Sequence, residues 1–148
     1  MAFRGQYEYT LDAKNRLTIP AKFRAALSDG VVLAKALDPC VAIWTPQGWE
    51  QFTERALSSR DPFSPDARKL KRYFHASSFD LQLDSAGRIM VPKQLLEYAG
   101  LGKEVVVVGN LDTIEAWDAA RWRSYSQELD ATAEQAAQRL SGSHDHPA

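Results

Sequence analysis

The sequence predicts a mixed α/β fold in which two copies of one unit pack as a single pseudo-symmetric domain. Three observations predict it. First, Leu11-Asp12-Ala13-Lys14-Asn15-Arg16-Leu17-Thr18-Ile19-Pro20 returns 72 residues later as Leu83-Asp84-Ser85-Ala86-Gly87-Arg88-Ile89-Met90-Val91-Pro92, and Tyr7 meets Phe79 at the same offset. Self-similarity at a fixed period marks a repeated supersecondary unit. Second, aromatic landmarks follow at an offset of 73: Trp44 with Trp117, Trp49 with Trp122 and Phe52 with Tyr125. A one-residue insertion separates the two blocks. Third, a unit of roughly 45 residues buries little surface alone and needs a partner or a staple. Cys40 is the sole cysteine, so neither a disulfide nor a thiolate metal site can supply one. The copies are expected to pack on each other around an interlocked β core.

The elements follow in order. A short strand over about 6–11, and again over 78–83, alternates in places between apolar and polar residues, as a half-buried strand does. A turn then runs from Asp12 to Asn15 and from Asp84 to Gly87. The aspartate carboxylate can accept from nearby backbone N–H groups, and Asn15 and Gly87 tolerate positive φ. A second strand leads from each arginine to Pro20 or Pro92, which is expected at the first helical position, where its missing N–H costs nothing. Phe23, Ala26 and Leu27 are expected to line the first helix, and Leu95, Leu96 and Ala99 the second; Gly30 and Gly100 stop them. Strands 31–36 and 41–44, then 105–108 and 114–117, complete each copy. Thr45-Pro46 and Asp118 supply helix caps. The divisions are a first repeat at 6–52, a linker with a short basic helix at 53–77, and a second repeat at 78–125. Residues 126–148 form the end of a C-terminal helix and a flexible tail.

Apolar and charged fractions are those of an ordinary globular protein, and no run of about 18 apolar residues suggests a membrane span. The start, Met1 to Tyr7, lacks a signal peptide's basic-then-apolar layout, so a cytoplasmic location is expected. Net charge is -1, but it is unevenly spread. Residues 1–24 hold five basic and two acidic side chains; residues 112–148 hold three basic and seven acidic ones. One basic face and one acidic tail would give this asymmetry, and so would an unevenly charged surface.

Several chemistries can be weighed. In Asp12…Arg16 and Asp84…Arg88, each pair is either a local turn contact or a turn in which the aspartate shapes the loop and the arginine projects outward. Arginine's planar fork suits phosphate oxygens and a guanine edge alike; the residues alone do not choose. Two aspartates could share a proton or a metal, yet neither lies in a Gly-rich or His-bearing setting, and no Walker loop, nucleophile elbow or zinc-protease motif is present. An enzyme is not expected, nor any cofactor. His144-Asp145-His146 resembles a metal-ligand set but reads as a solvated tail, so no metal is expected. The four tryptophans recur at matched positions, which favours core packing over stacking on single strands. The basic stretch Arg68-Lys69-Leu70-Lys71-Arg72 suits phosphate or solvent equally.

Phe3-Arg4-Gly5, the block Leu11 to Arg24, and Leu83-Asp84 with Gly87-Arg88-Ile89, Val91 and Pro92 together resemble the MraZ family of bacterial transcriptional regulators. The likeness covers nearly all of residues 1–140; a single Asp-x-x-x-Arg turn would suggest only the wider AbrB-like group. The resemblance implies two AbrB-like swapped-hairpin β-barrel halves in one subunit. It implies ring-shaped homo-oligomers that bind repeated boxes in double-stranded DNA upstream of a division and cell-wall gene cluster, repressing it, within the nucleoid. Arg16 and Arg88 then match the DNA-contacting arginines, Lys14 and Arg4 nearby basic positions, and Asp12 and Asp84 turn-forming aspartates beside Asn15 and Gly87. Ala86 stands where the first turn has Lys14, so the first turn is expected to bind phosphate more strongly. An AbrB-like interaction module such as an antitoxin is the alternative.

Overall fold

A computed structural model describes residues 2–58 and 61–144. The first copy contributes β1 (Gln6–Thr10), β2 (Arg16–Thr18), α1 (Ala21–Arg24, extended by a 3₁₀ turn Ala25–Leu27), β3 (Val31–Lys35), β4 (Val41–Trp44) and α2 (Pro46–Leu57). The second contributes β5 (Phe79–Leu81), β6 (Arg88–Met90), α4 (Lys93–Ala99), β7 (Glu104–Asn110), β8 (Thr113–Asp118) and α5 (Ala119–His144). Between them lies α3 (Pro65–Ala76).

The two copies exchange strands. The main sheet runs β1-β7-β8-β4-β3-β5, and β2 pairs with β6 in a separate two-stranded ribbon. The first copy's β1 therefore lies antiparallel on the second copy's β7, and the second copy's β5 lies on the first copy's β3. The register carries the repeat's symmetry. Leu17 pairs with Ile89, its equivalent 72 residues on, and Ala42 pairs with Glu115, its equivalent 73 residues on. A pseudo-two-fold axis passes through both pairs. This is the interlocked core that a 45-residue unit needs, since neither copy completes a sheet alone.

Alternation sorts each strand between two layers. Val31, Leu33, Val41, Ile43, Val105, Val107 and Ile114 face the ribbon's Leu17 and Ile89, together with Phe23 and Leu95 from α1 and α4. On the opposite face Val32, Ala34 and Trp44 pack under Trp49 of α2 and Phe74 of α3, while Val106, Val108 and Trp117 pack under Trp122 and Tyr125 of α5. The tryptophans are core residues: Trp44 stacks on Phe52 at 4.8 Å and Trp117 on Tyr125 at 5.0 Å. Tyr73 of α3 and Tyr98 of α4 meet at 2.7 Å, and both hydroxyls reach the Ala36 carbonyl.

The N-terminus is held by close backbone contact. Phe3 bridges Leu111 and packs edge-on against Phe23 at 5.2 Å. Gly109 makes this possible, because a Cβ there would overlap the Phe3–Arg4 backbone.

Some local features differ from the sequence reading. Pro20 and Pro92 occupy the cap position rather than the first helical one: their ψ values of 136° and 146° are extended, and their carbonyls accept from Phe23 and from Leu95 and Leu96. The exchanged strand β5 has three residues, not six, because its pairing with β3 ends at Leu81. Helix α5 continues through residues 141–144, where a frayed tail was expected, as an extension of the alanine- and glutamine-rich turns before it. Of the expected tail, Asp145 and His146 lie outside the described residues. Thr45 caps α2 by accepting from the Gly48 N–H at 2.9 Å, and Asp118 Oδ2 accepts from the Arg121 N–H at 3.4 Å, as expected. Among the described residues no helix is long and apolar enough to cross a membrane, and no group of His, Cys, Asp and Glu is placed to hold a metal.

Candidate nucleic-acid interface

The two turns share one construction. Asp12 Oδ1 accepts from the Lys14 and Arg16 N–H groups, each at 2.9 Å, and Oδ2 accepts from Arg16 Nε at 2.6 Å. Asp84 Oδ1 accepts from the Ala86 and Arg88 N–H groups, each at 2.9 Å, and Oδ2 from Arg88 Nε at 3.0 Å. Asn15 and Gly87 take the left-handed positions, with φ of 60° and 75°. Both carboxyls are held below the usual carboxylate range, chiefly by the arginine backbone N–H and further by the arginine side chain. Each aspartate therefore fixes both the loop and the direction of its arginine.

Antiparallel pairing of β2 with β6 decides where those arginines go. Arg16 lies opposite Met90 and Thr18 opposite Arg88. Period-two alternation puts these four on one face and the buried Leu17 and Ile89 on the other. As diagonal cross-strand neighbours, Arg16 and Arg88 have Cα atoms about 7–8 Å apart. Their side chains converge further: Arg88 Nη1 comes within 3.7 Å of Asp12 Oδ2, so one carboxylate is shared by both arginines. Met90 adds an exposed apolar group to the same face. The ribbon thus presents two forked, half-buried cations related by the pseudo-two-fold axis and pre-aimed by carboxylates.

Lys14 is exposed beside Arg16, at the tip of the first turn. Arg4 is placed elsewhere. The whole of β1, about 17 Å at 3.4 Å per residue, separates it from Asp12. Within one chain the structure gathers Lys14, Arg16 and Arg88, and leaves Arg4 at the far end of the edge strand.

One neighbouring side chain escaped the sequence reading. Arg24, from α1 of the first copy, lies against Gly87 of the second copy's turn. Its Nε donates to the Ile19 carbonyl at 2.9 Å. The signal was a mismatch inside the repeat: the equivalent of Arg24 is Leu96. The basic helix α3, by contrast, lies across the main sheet from the ribbon, with Arg68, Lys69, Lys71 and Arg72 exposed.

The comparisons follow the same two-copy division. A family model described as "MraZ protein, putative antitoxin-like" matches twice, at residues 2–73 and 74–143. The chain belongs to the MraZ family. A "Transcriptional regulator MraZ" of Moorella thermoacetica is 40% identical over 139 residues, 93% of this chain and 96% of that one. The MraZ proteins of Roseiflexus castenholzii and Acetivibrio thermocellus are 40% and 37% identical over 138 residues, again 93% of this chain and 96% of each of those.

Proposed function

We propose that this MraZ-family chain is a sequence-specific, double-stranded DNA-binding transcriptional regulator. The observation that carries the reading is the common exposed face of the β2–β6 ribbon, which holds both arginines of the repeated turn. A two-stranded ribbon fits the major groove of B-DNA, about 12 Å wide, and a forked guanidinium pairs with the two acceptors on a guanine edge. Arg16 and Arg88 read bases, Lys14 and Arg4 contact phosphates, and Asp12, Asn15, Asp84 and Gly87 hold the turns in shape. The relatives' name as transcriptional regulators supports the same class and sets aside an enzyme.

The finer reading follows the resemblance. The chain represses its own division and cell-wall gene cluster from the nucleoid, as a ring-shaped homo-oligomer on repeated boxes. Linked turns on successive boxes gain through effective concentration where one subunit binds weakly. The strand exchange of β1 and β5 supports describing each half as a swapped-hairpin AbrB-like barrel. Footprinting of the gene's own upstream region, with light scattering of the same sample, tests this. Protection of evenly spaced short boxes by a species several times the monomer mass is expected. No protection at any salt concentration would end the reading. The antitoxin-like wording of the family description favours one other reading, a module that grips a toxin. Copurification of a stoichiometric second protein from the native host would support it.

A further inference from the structure

We propose that Arg24 is a DNA-contacting residue of the second turn, supplied by the first copy to replace the cation that Ala86 lacks. This rests on the reading of the ribbon as a DNA-binding face.

The pseudo-symmetry shows that this contact is not a product of the repeat, because the equivalent of Arg24 is Leu96. Ile19 donates its N–H to the Gly87 carbonyl at 2.9 Å, and Val91 donates to the Asn15 carbonyl at 2.9 Å. These are equivalent contacts, each joining one copy's second strand to the other copy's turn. Around them the two sites diverge. The first turn carries Lys14, with Asn15 at the left-handed position and Leu96 as the equivalent of Arg24. The second carries Ala86, Gly87 and Arg24. Asn15 adopts the left-handed φ without being glycine, so conformation alone does not require glycine at position 87. Space does. A Cβ on Gly87 would overlap Nε and Cζ of Arg24. The bare position at 87 and the guanidinium from position 24 therefore fit together.

The chemistry of Arg24 fits the role. Its stem is half-buried, and Nε is held by the Ile19 carbonyl, which limits the entropy lost on binding. Among the described residues its terminal nitrogens carry neither a hydrogen bond nor an ion pair. Arg16 and Arg88 are each tied to a carboxylate, whereas the end of the Arg24 guanidinium is not. An oriented cation without a partner, packed on the turn that carries Arg88, is placed to meet a phosphate beside the base that Arg88 reads. Each turn then has one reading arginine and one phosphate-binding cation: Lys14 with Arg16, and Arg24 with Arg88.

The test compares the full-length protein with Arg24→Gln, Arg24→Lys and Gly87→Asn. Each is titrated by fluorescence anisotropy across salt, on a duplex from the gene's own upstream region and on a mixed-sequence duplex of equal length. One lost phosphate contact lowers the slope of log affinity against log salt by about 0.9. Between about 50 and 200 mM salt the parent should then lose about 3.5-fold more affinity than Arg24→Gln. Arg24→Lys should keep the parental slope. Gly87→Asn, which copies the first turn's backbone residue and displaces Arg24, should behave like Arg24→Gln. Adding Ala86→Lys to Arg24→Gln should restore the slope. Circular dichroism confirms folding of each variant; if Arg24→Gln is unfolded, Gly87→Asn carries the comparison. Parental slopes in Arg24→Gln and Gly87→Asn would overturn the proposal while leaving the ribbon reading intact. Failure of the parent itself to bind either duplex would overturn the ribbon reading.

Discussion

Replacing Arg88 by alanine tests the ribbon most directly, because the structure predicts an inequality as well as a loss. A bidentate arginine–guanine contact is worth about 1–3 kcal/mol, or about 5–150-fold in affinity per subunit. Both Arg16→Ala and Arg88→Ala should lose at least this. What they leave behind differs. After Arg16→Ala, Asp12 still lies 3.7 Å from Arg88 Nη1. After Arg88→Ala, Asp84 loses its ion-pair partner, and Asp12 loses its second one. An unpaired carboxylate facing DNA phosphates adds repulsion to the lost contact. Arg88→Ala should therefore cost at least as much as Arg16→Ala, although the first turn was expected to be the stronger from its sequence. Exposed ion pairs contribute little to folding, so the thermal midpoint and the mass in solution should stay close to those of the parent. Anisotropy titration on the upstream duplex at one fixed salt concentration measures the loss. Folded Arg88→Ala that binds within twofold of the parent would refute the placement of the ribbon on DNA.

Four further outcomes follow from named contacts. Lys14→Ala should reduce the salt slope by about 1; an unchanged slope places Lys14 away from phosphate. Gly109→Ala should destabilise the fold by about 3 kcal/mol, because its methyl group displaces the Phe3–Arg4 backbone and frees Phe3 from Phe23; an unshifted urea midpoint would contradict that contact. Asp12 and Asp84 are held below their usual pKa of 3.8, so their contribution to stability is full above that value and fades as pH falls through their lowered folded values. Asp84→Asn should accordingly flatten the acid limb of stability against pH, and an unchanged limb would count against the turn bonds. Cys40 is buried and its thiol is pushed up chiefly by desolvation, so iodoacetamide should label it only in denaturant; rapid labelling of the folded protein would show that the site opens.

What could be read beforehand was whatever a short stretch of chain decides. The Asp-x-x-x-Arg turns, the Thr45 and Asp118 caps and the left-handed Asn15 and Gly87 depend on residues within four positions of one another. Apart from the swapped hairpins that the family resemblance implies, the residues themselves point only to an interlocked core, since the register of the β1 and β5 exchange depends on Tyr7 meeting Val107 and Phe79 meeting Leu33 across long separations. Arg24 was invisible for the same reason. Its meaning lies in Gly87, 63 positions away, and no local pattern links them. Pro20 and Pro92 were misplaced by one position because a proline suits both the cap and the first helical residue, and only the carbonyl's acceptance from the N–H three residues on separates the two.

Strand exchange also explains how two weak turns come to form one surface. Had each copy closed on itself, the turns would lie on separate units, and the two arginines would not share a face. Pairing Leu17 with its own equivalent Ile89 fixes the turns about one axis and turns both arginines the same way. That axis relates the arginines but not their surroundings, because Lys14 and Ala86 differ, as do Asn15 and Gly87, and Leu96 and Arg24. On the proposed reading, the base-reading pair is nearly symmetric and the phosphate-binding pair is not. A subunit of this kind has a preferred direction along a duplex. The repeat supplies the shared ribbon face, and on that reading the differing flanking residues give the face its polarity.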